Sequence, residues 1–282
     1  MKKFGIIGPG AVGTAITFAL TQSNLDVTLF GRSNATVYFQ EYNQDVQHSF
    51  PVHSLEDAHE KVDILFIAVK ATQLDAIIPY LHHILHANSV IILTQNGYGQ
   101  LEKIDHPHKF HAVVYISGQK EDNVVTHFRD WTLRLPVHAL TLDIKSLTED
   151  SLLNIECLED YDQHVWYKLI VNLGINTVTA LTRQPARVLK HDQIHALCYN
   201  LLVEGNRVAK AEGIYFDDDF EKSIMKIYEG YPDDMGTSMY YDIISKKPLE
   251  TAFIQGYIYK ISKKHHLTTP YIDSTYAVLS TF

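Results

Sequence analysis

Residues 4–22 read FGIIGPGAVGTAITFALTQ, and this stretch decides the fold. Phe4–Gly8 is an apolar run of strand length. From Ala11 to Gln22 the apolar residues follow a helical pattern. Between them stands Gly8-Pro9-Gly10-Ala11-Val12-Gly13, a GxGxxG pattern. Alone the pattern is weak, but a strand running straight into it and a helix straight out of it give it a physical meaning. Gly8 permits the tight turn, Gly10 lets the backbone approach a pyrophosphate, and Gly13 lets the helix pack closely on the strand. The unsatisfied N–H groups and positive end of the helix then favour an anion. Gly8, Pro9, Gly10, Ala11, Val12 and Gly13 are therefore expected to bind a dinucleotide.

Working outward, the next strand spans Asp26–Phe30. A site for NAD usually offers a carboxylate at the end of this strand, to bond the ribose 2′-hydroxyl. Here the chain reads Leu29-Phe30-Gly31-Arg32-Ser33. Arg32 can pair with a 2′-phosphate through its planar fork, which favours NADPH over NADH. Further strands are expected at Val62–Val69, Ser89–Thr94, Phe110–Ser117, Val124–Phe128 and Trp131–Leu135, with a helix over Leu74–His86. The polar turn Gly118–Asn123 marks a hairpin at the end of the sheet. Alternating strands and helices predict a doubly wound, Rossmann-type α/β domain over residues 1–158. After it the strand patterns stop. Tyr161–Leu181, His191–Gly213 and Pro248–His266 have helical periodicity, Asp217–Asp219 read as caps, and Thr269-Pro270 opens a last helix. An all-helical domain is expected over residues 159–282.

Composition narrows the function classes. The chain has 282 residues, a formal charge of −9, and 46% hydrophobic and 20% charged residues, as a packed globular protein does. The acidic balance argues against a nucleic-acid binder, which needs a basic face. No apolar run has membrane-spanning length, and the early glycines break any signal-like core, so the cytoplasm is expected. Cys157 and Cys198 stand far apart and read as small buried hydrophobes. The 16 histidines include His82, His83, His86, His106, His108, His111, His265 and His266. They read as surface titrating groups, and no metal is expected.

The helix Tyr161–Leu181 carries the second informative pattern. From Val165 onward it is apolar almost all round, so it is buried. Lys168, Asn172 and Asn176 interrupt it at steps of four, which places them in one stripe about 6 Å apart. A buried lysine is costly without a polar cleft or carboxylate facing it. Asparagines inside a helix weaken it with no structural return. Near the C-terminus, Ser238 alone reads as a helix cap and Glu250 as a first-turn charge.

Five segments together resemble the ketopantoate reductase family. They are GPGAVG at Gly8–Gly13, VKATQ at Val69–Gln73, QNG at Gln95–Gly97, KLIVNLGINTVTAL at Lys168–Leu181, and SMYYD with LE and QG at Ser238–Gly256. The resemblance implies NADPH-dependent reduction of 2-dehydropantoate to pantoate, towards pantothenate and coenzyme A. It implies Lys168 as the general acid and Glu250 as the carboxylate that engages substrate and lysine. Asn96, Asn172, Asn176 and Ser238 match substrate contacts, while Lys70, Gln73 and Asn96 match the cofactor side. Two departures are visible: Gln255 stands where the family commonly has asparagine, and His127-Phe128-Arg129-Asp130-Trp131 replaces a glycine-rich strand pair. A related reductase of another 2-oxo acid and a non-catalytic NADPH sensor are the alternatives. The helical half could also supply the interface of a homodimer.

Overall fold

The computed structural model describes residues 2–282. These divide into two compact units, one running to Asn96 and including Gln100–Tyr161, the other comprising Gly97–Gly99 and Asp162–Phe282.

The first unit contains, in order, β1 (Lys3–Ile7), α1 (Ala11–Thr21), β2 (Asp26–Gly31), β3 (Ala35–Glu41), β4 (Gln47–Ser54), β5 (Val62–Ile67), α2 (Leu74–Ile77), α3 (Leu81–Ile84), β6 (Leu85–Leu93), β7 (Lys109–His111), β8 (Val113–Val114), β9 (Ser117–Glu121), β10 (Val124–Arg129), β11 (Thr132–Pro136), α4 (Ala139–Leu147) and β12 (Asn154–Leu158). Nine strands form one sheet in the order β7-β6-β5-β1-β2-β4-β3-β10-β9, and β12-β11-β8 form a second. From β7 to β2 all neighbours are parallel. Phe4 and Ile6 of β1 enter one core with Ile16 and Leu20 of α1, while Ile7 enters another with Leu65, Ile67 and Leu74. A central parallel strand buried on both faces must be apolar throughout, as β1 is. The chain places β2 on one side of β1 and β5 on the other, so the winding reverses at β1.

Several elements depart from the sequence expectation. Leu74–His86 is not one helix. Pro79 cannot donate a backbone bond, and the segment proceeds as α2, a 3-10 turn at Ile78–Tyr80 and α3. The hairpin of β3 and β4 was not expected. Its second strand is masked by polar His48 and Ser49 and by the exposed Pro51, which pairs with Thr36 near the open end of the hairpin. The expected turn Gly118–Asn123 is mostly strand. β9 continues to Glu121, which pairs with Val124, leaving only Asp122 and Asn123 to turn. Phe110–Ser117 is split between β7, β8 and the start of β9, and α4 and β12 add a short crossover before the helical half.

β3, β10 and the junction of β10 with β11 bring an aromatic cluster onto α1. Phe18 stacks on Phe39 at 4.3 Å and lies 5.9 Å from Trp131, whose indole stacks on His127 at 3.8 Å. The two ends of the unusual His127–Trp131 segment therefore pack on this cluster, while Phe128, Arg129 and Asp130 between them are exposed. Cys198 is buried, with its thiol pushed up to about 12 by desolvation. Cys157 is only half-buried, because β12 is an edge strand of the smaller sheet.

The second unit is built on α5 (Tyr161–Thr182), α6 (Asp192–Ala211), α7 (Phe220–Glu229), α8 (Ser238–Ile244), α9 (Gln255–Lys264) and α10 (Pro270–Leu279). Small residues let α5 and α6 approach: a Cβ on Gly174 would lie 2.8 Å from Leu202 Cδ2, and one on Gly205 would lie 3.0 Å from Leu173 Cδ2. Tyr228 Oη donates to the Val171 carbonyl at 2.6 Å. Thr269 and Pro270 open α10 as expected, and the buried Glu204 carboxylate accepts the Tyr271 and Ile272 N–H groups at 3.2 and 2.8 Å. Asp219 stands at the start of α7 but makes no side-chain capping bond. Among the described residues, no helix is long and apolar enough to cross a membrane.

Candidate active site

The glycine loop leaves the C-terminal end of β1 at the point where the winding reverses, which is where open α/β sheets bind ligands. Gly8 has φ +112°, and its N–H donates to Phe30 O at 2.9 Å. A Cβ there would lie 2.8 Å from the backbone of Ala68 and Val69, so only glycine fits the turn. A Cβ on Gly13 would lie 2.1 Å from Gly8 O, which fixes how closely α1 returns to the strand. Gly10 is the opposite case, with no atom within 4 Å of where its Cβ would be. It stands at the N-cap of α1, and no side chain caps the helix. The first N–H groups thus face open space beside Gly10. Within the first turns the buried Thr14 Oγ1 also has no hydrogen-bond partner. An uncapped helix start, an open glycine and an orphaned hydroxyl suit the oxygen-rich diphosphate of a dinucleotide.

The neighbouring strands end on the same edge. Arg32, Ser33 and Asn34 follow β2 and are exposed, and the Asn34 side-chain oxygen accepts Ser54 N–H at 2.8 Å. No carboxylate is in this segment. Lys70 follows β5, half-buried, and its carbonyl accepts Gln73 N–H at 2.8 Å as the 3-10 turn Ala71–Gln73 begins. Gln73 itself is exposed. Asn96 follows β6 and is half-buried, held by Gln100 Nε2 on its carbonyl at 3.0 Å. Just before it, Gln95 Nε2 and Thr94 Oγ1 both donate to Ile67 O, at 2.9 and 3.0 Å, which ties the exits of β5 and β6 together.

His111 belongs to this support and not to the surface. It is 5% exposed, its Nδ1 lies 3.0 Å from Tyr161 Oη, and its Nε2 lies 3.2 Å from Gln95 O. The Tyr161 hydroxyl in turn donates to the His111 carbonyl. A histidine ending a buried strand, β7, was the available signal, and its position in a histidine-rich segment obscured it.

In the helical unit, α5 carries the polar stripe. Asn176 is 4% exposed, whereas Lys168 and Asn172 are half-buried, so the lysine is less enclosed than the apolar pattern implied. Buried Val165, Leu169, Leu173 and Ile175 surround the stripe on the same helix. Among the described residues, the side-chain amides of Asn172 and Asn176 make no hydrogen bond. Just beyond Asn176, two threonine hydroxyls of the same helix are bonded. Thr177 Oγ1 accepts from Gln255 Nε2 at 3.0 Å, and Thr179 Oγ1 lies 2.8 Å from Thr237 Oγ1. Gln255, one of the departures from the family pattern, is thus a buried clamp on α5.

Thr237 rather than Ser238 caps α8, accepting Tyr240 N–H at 3.1 Å, and Ser238 is exposed in the first turn. Glu250 is 7% exposed. It is not in the first turn of a long helix, because Pro248–His266 breaks into a loop, a 3-10 turn at Thr251–Phe253, and α9. Ile254, with φ −108° and ψ −81°, interrupts the helical path between them. Glu250 thereby sits beside buried Leu249 and ahead of the turn it opens, its carbonyl accepting Phe253 N–H at 3.0 Å. Gly97, with φ +82°, packs on that turn: a Cβ would lie 2.3 Å from Phe253 O, and the next N–H, from Tyr98, donates to the same oxygen at 2.9 Å. The glycine after Asn96 is a requirement of this contact.

Residues 4–137 match the family model described as ketopantoate reductase PanE/ApbA, and residues 160–282 match the model of its C-terminal part. A 2-dehydropantoate 2-reductase from Mycobacterium tuberculosis is 30% identical over 95% of this chain and 93% of its own length. Another from Vibrio cholerae is 25% identical over 98% and 96%. Among solved structures, a dimeric ketopantoate reductase from Staphylococcus aureus superposes with a TM-score of 0.97 at 48% identity, covering 99% of this chain and 98% of that one. A D-mandelate dehydrogenase bound to NADH and anilino(oxo)acetate shares the fold at a TM-score of 0.87 and 20% identity.

Proposed function

The chain belongs to the ketopantoate reductase family, and from that premise we propose that it reduces 2-dehydropantoate to pantoate with NADPH, a step towards pantothenate and coenzyme A. The observation that carries the reading is the α5 stripe. A largely apolar helix keeps a half-buried lysine, a half-buried asparagine and a buried asparagine in line, and both amides lack protein partners among the described residues. Neither amide is among the buried atoms left without a partner, so both reach open surface where a ligand could bond them.

In this reading residues 1–158 hold the cofactor and residues 159–282 carry the catalytic side chains. The backbone of Gly8–Gly13 binds the diphosphate, Arg32 the 2′-phosphate, and Lys70, Gln73 and Asn96 contact the cofactor along the strand ends. A reduced nicotinamide supplies a hydride when bound. As the ketone carbon accepts that hydride, negative charge grows on its oxygen, and the Lys168 ammonium stabilises the charge and donates a proton there. Water returns the proton to the lysine. Glu250 orients the substrate and keeps Lys168 charged despite its surroundings. Asn96, Asn172 and Asn176 bond the substrate, and Ser238 holds its carboxylate. The dimeric Staphylococcus aureus relative supports a homodimer. A cytoplasmic location fits a biosynthetic enzyme of this kind.

The test is NADPH oxidation with 2-dehydropantoate against a panel of other 2-oxo acids, repeated with NADH. The proposal expects the highest kcat/KM for 2-dehydropantoate with NADPH. A higher value for a smaller 2-oxo acid reassigns the substrate. Dinucleotide binding without oxidation by any keto acid makes the protein a sensor.

A further inference from the structure

The edge strand β9 lies against the glycine loop, although four strands separate it from β1 in the sheet. Gly118 marks the approach: a Cβ there would lie 3.6 Å from the Ala11 Cβ at the start of α1. Two residues along a strand share a face, so Lys120 points the same way as Gly118. Its Nζ donates to Pro9 O inside the loop at 2.7 Å. Gln119 and Glu121 occupy the opposite face and bond each other at 3.1 Å. Among the described residues, no carboxylate lies within ion-pair distance of Lys120. Burial lowers its pKa, with no neighbouring charge to offset the loss of water. An ammonium has three donors, and Pro9 takes one. The helix start it stands beside has no capping side chain and no acidic residue in its first turn. Arg32, exposed at the end of β2, stands where the 2′-phosphate is expected.

We propose that Lys120 is the cation of the diphosphate subsite, held over the glycine loop by the Pro9 carbonyl and supplying charge to the dinucleotide. This rests on the dinucleotide reading of the loop. It gives the loop, whose own residues carry no charge, a positive side chain from a distant strand. A bare glycine loop binds anions through partial charges alone, whereas a charge-assisted bond is about twice as strong as a neutral one.

Direct titration of NADPH and NADH, read by fluorescence, tests the assignment without turnover. Lys120→Gln keeps a donor for Pro9 but removes the charge. It should weaken both dinucleotides about tenfold and by the same factor, since both carry the diphosphate. Lys120→Arg, which keeps the charge, should recover most of the loss. Unchanged binding in Lys120→Gln would mean that the residue only anchors the loop, and loss for NADPH alone would move it to the 2′-phosphate; either result overturns the proposal. Should the glutamine variant not fold, acylation of the unaltered protein reads the same point: NADH should shield the Lys120 amine, and equal labelling with and without NADH overturns it. Wild-type protein that binds neither dinucleotide would overturn the cofactor reading itself, and this assignment with it.

Discussion

In the proposed site the functional atoms between Gly8 and Gly13 belong to the backbone, whereas those between Lys168 and Asn176 belong to side chains. In the loop, side chains are removed so that N–H groups can meet a ligand. In the helix, polar side chains are inserted where apolar ones would be cheaper. The first arrangement is dictated by van der Waals distances: a Cβ on Gly13 would lie 2.1 Å from Gly8 O. The second has no such steric reason, and in the proposed reading a ligand meets it. A backbone site therefore announces itself by composition and spacing, while a side-chain site is defined by what comes to face it.

The comparison can be broken most forcefully at Gly13. Gly13→Ala should abolish dinucleotide binding, weakening it by more than about a hundredfold, on the order of 3 kcal/mol. Either α1 moves off the strand or the loop opens. A binding titration with a parallel thermal melt checks this. Retained affinity would show that the loop geometry is structural only.

A smaller effect sharpens the cofactor end. Arg32→Glu should weaken NADPH by about tenfold or more while leaving NADH nearly unchanged, the scale of one charge-assisted contact. The ratio of the two Michaelis constants is the readout. Equal losses for both would remove the 2′-phosphate from Arg32.

How much was legible follows the same division. The strand, turn and helix around Gly8 could be read because each glycine has a steric reason visible in the pattern. The Lys168 stripe could be read as anomalous, since a polar line inside an apolar helix has a period. The burial of Glu250 could not be read, because locally it looks like any helix-start charge and the break at Ile254 leaves no sequence signal. The Pro79 interruption of Leu74–His86 was visible but outweighed by apolar periodicity. Lys120 was not visible at all. It stands in a segment that reads as a turn, and its place over Pro9 depends on added strands, β3, β4 and β10, that carry the sheet from β2 to β9. His111 was lost among its neighbours for a similar reason, as burial by long-range packing leaves no local trace.

The most direct test of the account is Lys168→Ala, measured for both turnover and NADPH affinity. If the loop binds and the stripe catalyses, reduction of 2-dehydropantoate should fall by about a hundredfold or more, the scale of a positioned acid, while NADPH binds as in the unaltered protein. Near-normal turnover in Lys168→Ala would contradict the assignment of catalysis to α5.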